Sequence, residues 1–247
     1  MTRIITIASG KGGVGKTWLA ISLGQALARR GQRVLLFDGD LGLANVDVQL
    51  GLGAGPDLAA VLCGRCTLAG AVRRAAPAGF DVLPGRSGCG QLGEIDAALL
   101  ERLLGELATL ARTYDVTLLD LPAGIDRAVR RLLLTATLRL IVTTDEPTAL
   151  TDAYALIKVS RRDGAASPLE LVVNLAESDA AGRRTHEGLR RVCEHFLELS
   201  PPLAGVLRRD PRVVDAIRHQ TPLLLRHPNS PAARDVEALA RHLQDRL

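Results

Sequence analysis

The chain has 247 residues, of which 47% are hydrophobic and 23% charged, a composition typical of one globular domain spanning residues 1–247. No apolar run reaches the roughly 18 to 20 residues of a membrane-spanning helix, and the first residues show no signal-peptide pattern, so we expect a cytoplasmic protein. Its net charge of +4 comes from scattered arginine pairs and only 2% of its residues are aromatic, which argues against nucleic acid as a partner.

The first 31 residues predict a strand, a loop and a helix. Residues 3–9 (RIITIAS) form an apolar run of the kind found in buried strands, and apolar residues then recur at helical spacing from Lys16 until Gly31. The loop between them carries Lys11 and Lys16, two of the chain's three lysines, although the chain otherwise uses arginine. A compact ammonium group is therefore expected to have a specific role in this loop.

Further along the chain, short apolar runs alternate with segments of helical length. The runs predict strands at 34–38, from Phe80, and at 116–120, 138–144, 169–174 and 203–206. The intervening segments predict helices around 92–112, 149–162, 184–198 and 231–246. Nearly continuous apolar strands between helices are typical of a parallel sheet covered on both faces. We therefore predict an α/β fold with three layers and a mostly parallel central sheet.

Polar residues follow the predicted strands at the points where they end. In such a sheet the carboxyl ends of the parallel strands lie at one edge, which is where ligands bind. A glycine-rich loop follows the first strand. The other residues of this kind are Asp38, Gly39 and Asp40 after the second strand, and Asp120, Glu146, Asn174 and Asp210 after later ones. Together they predict one ligand site at this edge.

The loop after the first strand matches the phosphate-binding pattern Gly10-x4-Gly15-Lys16-Thr17 in full, which predicts a P-loop NTPase. Its backbone N–H groups would surround the phosphates of a nucleotide, and Lys16 would reach the β and γ phosphates as a catalytic residue. Thr17 would offer its hydroxyl to Mg²⁺. The predicted nucleotide-binding residues of this loop are Gly12, Gly13, Val14, Gly15, Lys16, Thr17 and Trp18.

Three aspartates are candidates for holding the metal and the attacking water. Asp120 ends an apolar strand and is placed to hold Mg²⁺ through water. Asp38 and Asp40 follow the second strand. One interpretation gives Asp38 the support of the metal shell and Asp40 the orientation of the water, but the residues alone leave that division open.

Lys11 follows the first glycine of the loop, where its side chain should point away from the phosphates of its own chain, toward solvent or a neighbour. The loop SGKGGVGKT resembles that of the MinD/ParA group of P-loop ATPases, which carries this additional lysine. The resemblance implies an ATP-bound homodimer in which Lys11 reaches the nucleotide of the partner subunit, and which hydrolysis releases. It also implies catalytic water activation by Asp40, and roles for Asp38 and Asp120 around Mg²⁺.

Within that group, three segments resemble the flagellar-number regulators FlhG/FleN. They are DGDLGLANVDVQLGL at 38–52, LLDLPAGI at 118–125 and, the most specific, TTDEPTALTDAYALIK at 143–158. The resemblance implies a slow ATPase that controls flagellar number and placement by binding a flagellar transcription activator and flagellar switch-complex proteins. It also implies that Asn174 reads the adenine edge and that the stretch around Asp210 closes the base pocket.

Three features depart from these regulators. The chain begins at its first strand, without the extension with which many of them stimulate the SRP-type GTPase FlhF, so this partner is carried over only as an open alternative. Residues 231–247 predict a helix whose modest apolar stripe either packs in the core or binds weakly at the inner face of the cell membrane. Trp18 replaces a small polar residue and is expected to pack beside the loop.

Two other functions and one other site stay open at this point. A metabolic ATP-dependent ligase or amidotransferase on the same scaffold would bind a small acid near the γ-phosphate. A ParA-type partitioning ATPase would bind nonspecific DNA in an ATP-dependent and salt-sensitive manner. The four cysteines are too few for a disulfide framework and are expected to be free thiols. Cys63 and Cys66 either share a metal cluster between two chains or are small residues of a helix and loop.

Overall fold

The computed structural model describes residues 3–40, 44–85 and 96–246. The strands are β1 (Ile4–Ala8), β2 (Val34–Asp38), β3 (Arg73–Ala75), β4 (Phe80–Leu83), β5 (Val116–Asp120), β6 (Leu138–Thr143), β7 (Leu169–Ala176) and β8 (Leu203–Arg208). The α-helices are α1 (Lys16–Arg29), α2 (Val46–Leu50), α3 (Leu58–Leu62), α4 (Ala97–Ala111), α5 (Arg127–Thr135), α6 (Pro147–Arg162), α7 (Asp179–Leu197), α8 (Pro211–Arg218), α9 (Leu223–Arg226) and α10 (Pro231–Arg246). A short 3₁₀ turn, Ala69–Ala71, precedes β3.

The strands form one sheet in the order β3-β4-β2-β5-β1-β6-β7-β8. The pairings are parallel except that β3 runs antiparallel to β4 at one edge. Strand β1 lies between β5 and β6, so that Ile7 is opposite Asp120 on one side and Leu140 on the other. This order brings the loop after β1 next to the loops after β5 and β6. The predicted, mostly parallel sheet is confirmed.

Helices cover both faces of the sheet. Successive side chains of a strand point to opposite faces, and in β1 Ile5 and Ile7 join one core while Ile4 and Ala8 join the other. The first core includes buried apolar side chains of α1 and α10, and the second includes those of α4, α5 and α6. This arrangement is the three-layer α/β fold that the sequence predicts.

The ends of several elements differ from the prediction for local reasons. Helix α7 begins at Asp179 rather than near 184, because the hydroxyl of Ser178 accepts from the N–H of Ala181 at 3.1 Å and caps its first turn. Residues 92–95 of the predicted helix 92–112 lie outside the described residues. The sequence analysis missed elements of three to nine residues, which are too short for a clear periodic pattern: β3, α2, α3, α5, α8 and α9.

The C-terminal helix α10 packs against α1 and β8. Its apolar side chains, Val236, Leu239, Ala240 and Leu243, are buried in the first core. Near its end, the fully buried carboxylate of Glu170 on β7 contacts Nε2 of His242 at 2.7 Å and the guanidinium of Arg246. Contact with a membrane would require the apolar stripe to leave this core. None of the described helices is long and apolar enough to span a bilayer.

Candidate nucleotide-binding site

The glycine-rich loop connects β1 to α1 and is packed tightly between other parts of the molecule. Gly13 and Gly15 have φ angles of 80° and 89°, the left-handed region that side chains rarely adopt. A Cβ on Gly15 would lie 2.4 Å from Nδ2 of Asn174, and a Cβ on Gly10 would lie 2.2 Å from the carbonyl oxygen of Asp152. At Gly10 and Gly15 the loop therefore has room for backbone only, which suits a cradle whose N–H groups face phosphate oxygens.

Lys16 begins α1 and keeps its ammonium group inside this loop. Its Nζ donates to Oγ of Ser9 at 2.8 Å, and the Ser9 hydroxyl donates to the carbonyl oxygen of Lys11 at 2.6 Å. Lys16 is only 8% exposed, and burial lowers the pKa of its ammonium group, although the charges of Asp120 and Asp40 oppose that effect. A buried cation at a helix N-terminus favours the binding of an anionic phosphate group.

Lys11 points away from the loop, as expected from its position after the first glycine. Its Nζ donates to Oε2 of Glu146 at 2.5 Å and to Oγ1 of Thr148 at 2.8 Å. Glu146 is the N-cap residue of α6 and its side chain is 61% exposed, so the contact lies at the surface. The hydrogen bond from Lys11 lowers the pKa of the Glu146 carboxyl group. The sequence analysis placed Glu146 at this edge of the sheet but did not foresee the contact.

Asp38 and Asp120 end the neighbouring strands β2 and β5 and lie directly opposite each other. Burial raises the pKa of Asp38 to about 7, with the charge of Asp120 adding to the effect, and burial raises the pKa of Asp120 to about 6. Asp38 accepts from the backbone N–H groups of Asp40 at 3.1 Å and Val46 at 3.3 Å. Two neighbouring buried carboxyl groups favour the binding of a cation, because its positive charge would offset the cost of ionising them away from water.

The surroundings of Asp120 fit the magnesium ion that the sequence predicts. The hydroxyl of Thr17 donates to its carboxylate, while its Oδ1 atom is buried and has no hydrogen-bond partner among the described residues. An unpartnered buried carboxylate oxygen next to a hydroxyl suits a hydrated Mg²⁺ bound mainly by phosphate. The described residues contain no group of three or more His, Cys, Asp or Glu side chains that could hold a metal alone. The assignment of Thr17, Asp38 and Asp120 to Mg²⁺ stays a prediction.

The residues expected at the nucleotide base have protein partners in this structure. Asn174 is buried, and its Nδ2 donates to the carbonyl oxygen of Val14 in the loop at 2.8 Å. Asp210 caps α8 by accepting from the N–H of Arg212 at 3.0 Å, and it also accepts from the N–H of Ala232 at 3.2 Å. The part that Asn174 and Asp210 would take in base recognition stays a prediction.

Trp18, Cys63 and Cys66 are the remaining residues that the sequence analysis singled out. Trp18 is buried and belongs to the first core, where its Nε1 atom has no partner among the described residues. Cys63 is exposed at the end of α3 and Cys66 is half-buried, both as free thiols, as is Cys193. Cys89 lies outside the described residues. Ser9 and Thr148, which bind the two lysines, are site residues that the sequence analysis missed.

Comparison with known proteins agrees with this geometry. The model of the CobQ/CobB/MinD/ParA nucleotide binding domain family matches residues 5–223. The chain belongs to this family. Antiactivator FleN of Pseudomonas aeruginosa is 37% identical to it over 97% of the chain and 85% of the relative. Flagellum site-determining protein YlxH of Helicobacter pylori is 31% identical over 100% of the chain and 83% of the relative.

Among solved structures, MinD from Pyrococcus horikoshii in complex with Mg-ADP superposes with a TM-score of 0.81. It is 27% identical, and the match covers 98% of this chain and 96% of that one. The resemblance to MinD/ParA ATPases, the P-loop NTPase fold and the ATPase class are thereby confirmed. Binding of a nucleotide with magnesium is a property found in the family.

Proposed function

We propose that the protein is a molecular switch in which ATP joins two copies of the chain and hydrolysis separates them. The observation that carries this proposal is the direction of Lys11. The loop carries two lysines. Lys16 stays inside it, on Ser9, whereas Lys11 points out of it to Glu146 and Thr148 at the surface. A lysine that bound only the nucleotide of its own chain would be expected to point into the loop. A lysine that binds the nucleotide of a partner subunit would be expected to point outward, as Lys11 does.

The residues around the loop divide the work of hydrolysis. Mg²⁺, when bound with ATP, would neutralise charge that develops on the β and γ phosphates. Lys16 would bind the same oxygens through an ammonium group held in place by Ser9. Asp40, at the end of the Asp38–Asp40 turn, would orient the attacking water and accept its proton. Lys11 of the partner subunit would add positive charge to the transferred phosphate, which ties the rate to dimerisation.

In this proposal, the contact of Lys11 with Glu146 and Thr148 belongs to the monomeric state of the switch. In the single chain the ammonium is held by its own α6, so dimerisation has to replace this contact with a phosphate of the partner's ATP. The exchange would be favourable where ATP supplies its γ-phosphate, a group that carries more negative charge than one carboxylate and that ADP lacks. The chain would therefore stay monomeric with ADP and dimerise with ATP.

The cellular role that we propose is control of flagellar number and placement. Support comes from the relatives named an antiactivator and a flagellum site-determining protein, which match nearly the whole chain. An antiactivator has a transcription activator as its partner, and we propose a flagellar activator here, with flagellar switch-complex proteins or an SRP-type GTPase as further partners. The dimer would present the partner-binding surface, so that ATP controls the interaction.

The first experiment measures the mass in solution of the Asp40→Ala protein with Mg·ATP and with Mg·ADP. We expect a dimer of the 26.3 kDa chain with ATP only. A Lys11→Ala, Asp40→Ala protein should stay monomeric with ATP. The matched control is Lys158→Ala in the same background, because Lys158 is the chain's remaining lysine and lies exposed on α6. This control should still dimerise.

Other outcomes would point to other functions. A monomer throughout, despite measured ATP binding, would remove the case for a crossing lysine and favour a metabolic ligase or amidotransferase on this scaffold. Salt-sensitive binding of the ATP-bound dimer to nonspecific DNA would favour a partitioning ATPase.

A further inference from the structure

The short helix α2 follows the turn that carries Asp38 and Asp40, and it is attached to that turn directly. One oxygen of Asp38 accepts from the N–H of Asp40 at 3.1 Å, and the other accepts from the N–H of Val46, the first residue of α2, at 3.3 Å. The aspartate expected beside Mg²⁺ is thus bonded both to the residue expected to orient the water and to α2. A displacement of α2 would have to move this carboxylate.

A carbonyl group in the middle of α2 accepts a hydrogen bond from Gln220, in a distant part of the chain. Its Nε2 donates to the carbonyl oxygen of Val48 at 2.9 Å, across 172 positions of sequence. The Val48 carbonyl oxygen also accepts from the N–H of Gly51 at 3.2 Å, so the Gln220 amide is a second donor to it, from a different part of the chain. Gln220 follows α8, whose N-cap residue is Asp210.

The backbone conformation at Gln220 places this residue next to the end of α2. Gln220 has a φ angle of 50°, in the left-handed region that glutamine rarely adopts. It faces Gly51 at the end of α2, where a Cβ would lie 3.3 Å from the Cβ of Gln220. The N–H groups of Gln220 and Thr221 donate to the carbonyl oxygens of Ile217 at 3.0 Å and Ala216 at 3.1 Å, the pattern in which helices commonly end on a left-handed residue, and this turn presents the Gln220 side chain to α2.

We infer that Gln220 is a positioning residue for ATP hydrolysis. It holds α2, α2 holds Asp38 through the N–H of Val46, and Asp38 holds the N–H of Asp40. Gln220 touches neither the nucleotide nor the metal, and it acts through these three hydrogen bonds. The inference rests on the proposed function, because it assumes that Asp38 and Asp40 serve Mg²⁺ and the attacking water.

The test uses two variants of the full chain. Gln220→Glu keeps the size of the side chain but replaces the donor with a carboxylate that repels the Val48 carbonyl oxygen. Gln220→Gly removes the side chain and suits the left-handed backbone, so it separates the hydrogen bond from backbone strain. The control is Gln244→Glu, the same chemical change at an α10 residue whose Oε1 accepts from Nε of Arg30 at 2.5 Å.

Four quantities are measured for each protein: kcat for ATP, KM for ATP, the Mg²⁺ concentration at half-maximal binding of a fluorescent ATP analogue, and Tm. Both Gln220 variants should lower kcat about tenfold and raise the Mg²⁺ midpoint about tenfold, with KM and Tm near wild type. Gln244→Glu should leave all of these unchanged. A residue that served stability alone would lower Tm and leave the Mg²⁺ midpoint in place.

Two failures are distinguishable. If the wild type hydrolyses ATP and both Gln220 variants keep its kcat and Mg²⁺ midpoint within about twofold, the inference is overturned and the proposed function stands. If the wild type binds Mg·ATP without hydrolysing it or dimerising, the proposed function fails. In that case the Mg²⁺ midpoint still decides whether Gln220 controls the metal side of the site.

Discussion

Asp38 offers the most direct test of how the charges of the site are arranged. Burial raises the pKa of its carboxyl group from the ordinary value of 3.8 to about 7. Without Mg²⁺ and nucleotide, the folded protein therefore keeps a proton that the unfolded chain releases at about pH 4. The folded state binds more protons between these values, so the free energy of unfolding falls as the pH rises from about 4 through about 7.

The structure sets the size of the effect for Asp38→Asn. A pKa of about 7 in place of 3.8 corresponds to about 4 kcal/mol of unfolding free energy at pH 8. Asparagine removes this penalty but offers one acceptor oxygen, whereas the carboxylate accepts from both Asp40 and Val46. Leaving one N–H without its partner costs about 1–3 kcal/mol. The variant should be more stable than the wild type by about 1–3 kcal/mol at pH 8, and no more stable at pH 4.

Urea unfolding of both proteins at pH 4, 6 and 8, in the presence of a chelator, measures this difference. Asp235→Asn is a control, since Asp235 forms an ion pair with Arg208 at 2.6 Å and its loss should lower stability at pH 6 and 8 alike. A second series with Mg·ADP should reverse the order at pH 8, because the cation makes the charged form of Asp38 favourable. The reasoning is refuted if Asp38→Asn is destabilised equally at all three pH values.

Three further outcomes are expected. Glu146→Gln should lower the dissociation constant of the ATP-dependent dimer about threefold in sedimentation velocity, because it weakens the contact that holds Lys11 in the single chain. The control Glu101→Gln, at another exposed ion pair, should not change it, and a weaker dimer with Glu146→Gln would contradict the proposed switch. Asp120→Asn should raise the Kd of Mg²⁺ for the nucleotide complex about tenfold in calorimetry but leave metal-free ADP binding in place, and an equal loss of both would argue against a metal role. Glu170→Ala should lower the free energy of unfolding by about 2 kcal/mol and speed amide exchange in the last turns of α10, and unchanged exchange would show that this carboxylate does not hold the helix.

The sequence predicts the sheet and the phosphate-binding loop because their signals are local. The strands that the sequence predicts are short, mostly apolar runs, and the loop pattern occupies eight consecutive residues from Gly10 to Thr17. Positions 38, 40 and 120 could be assigned to one edge from the parallel topology alone, since the carboxyl ends of such strands meet there.

The contacts between distant segments could not be predicted in this way. Lys11 and Glu146 are 135 positions apart, and they meet only because β1 and β6 are neighbours in the sheet. Strand order depends on how the helices pack and leaves no periodic signal in the sequence. The same holds for the contact between Gln220 and Val48. Val48 lies in α2 and Gln220 follows α8, and both helices are too short to be recognised from their sequence pattern.

The alternative partners of Lys11 couple three events that are usually measured separately. In the proposed switch, one ammonium group cannot bind Glu146 of its own chain and the partner's phosphate at the same time, so release from α6, dimerisation and ATP binding would form one linked equilibrium. A change on α6 that weakens this contact and leaves Lys11 in place should strengthen dimerisation and apparent ATP affinity together. By the same reciprocity, a protein that binds only the dimer would raise the apparent affinity of the chain for ATP. Such a partner should therefore lower the apparent Kd for ATP even if it touches no residue of the nucleotide site.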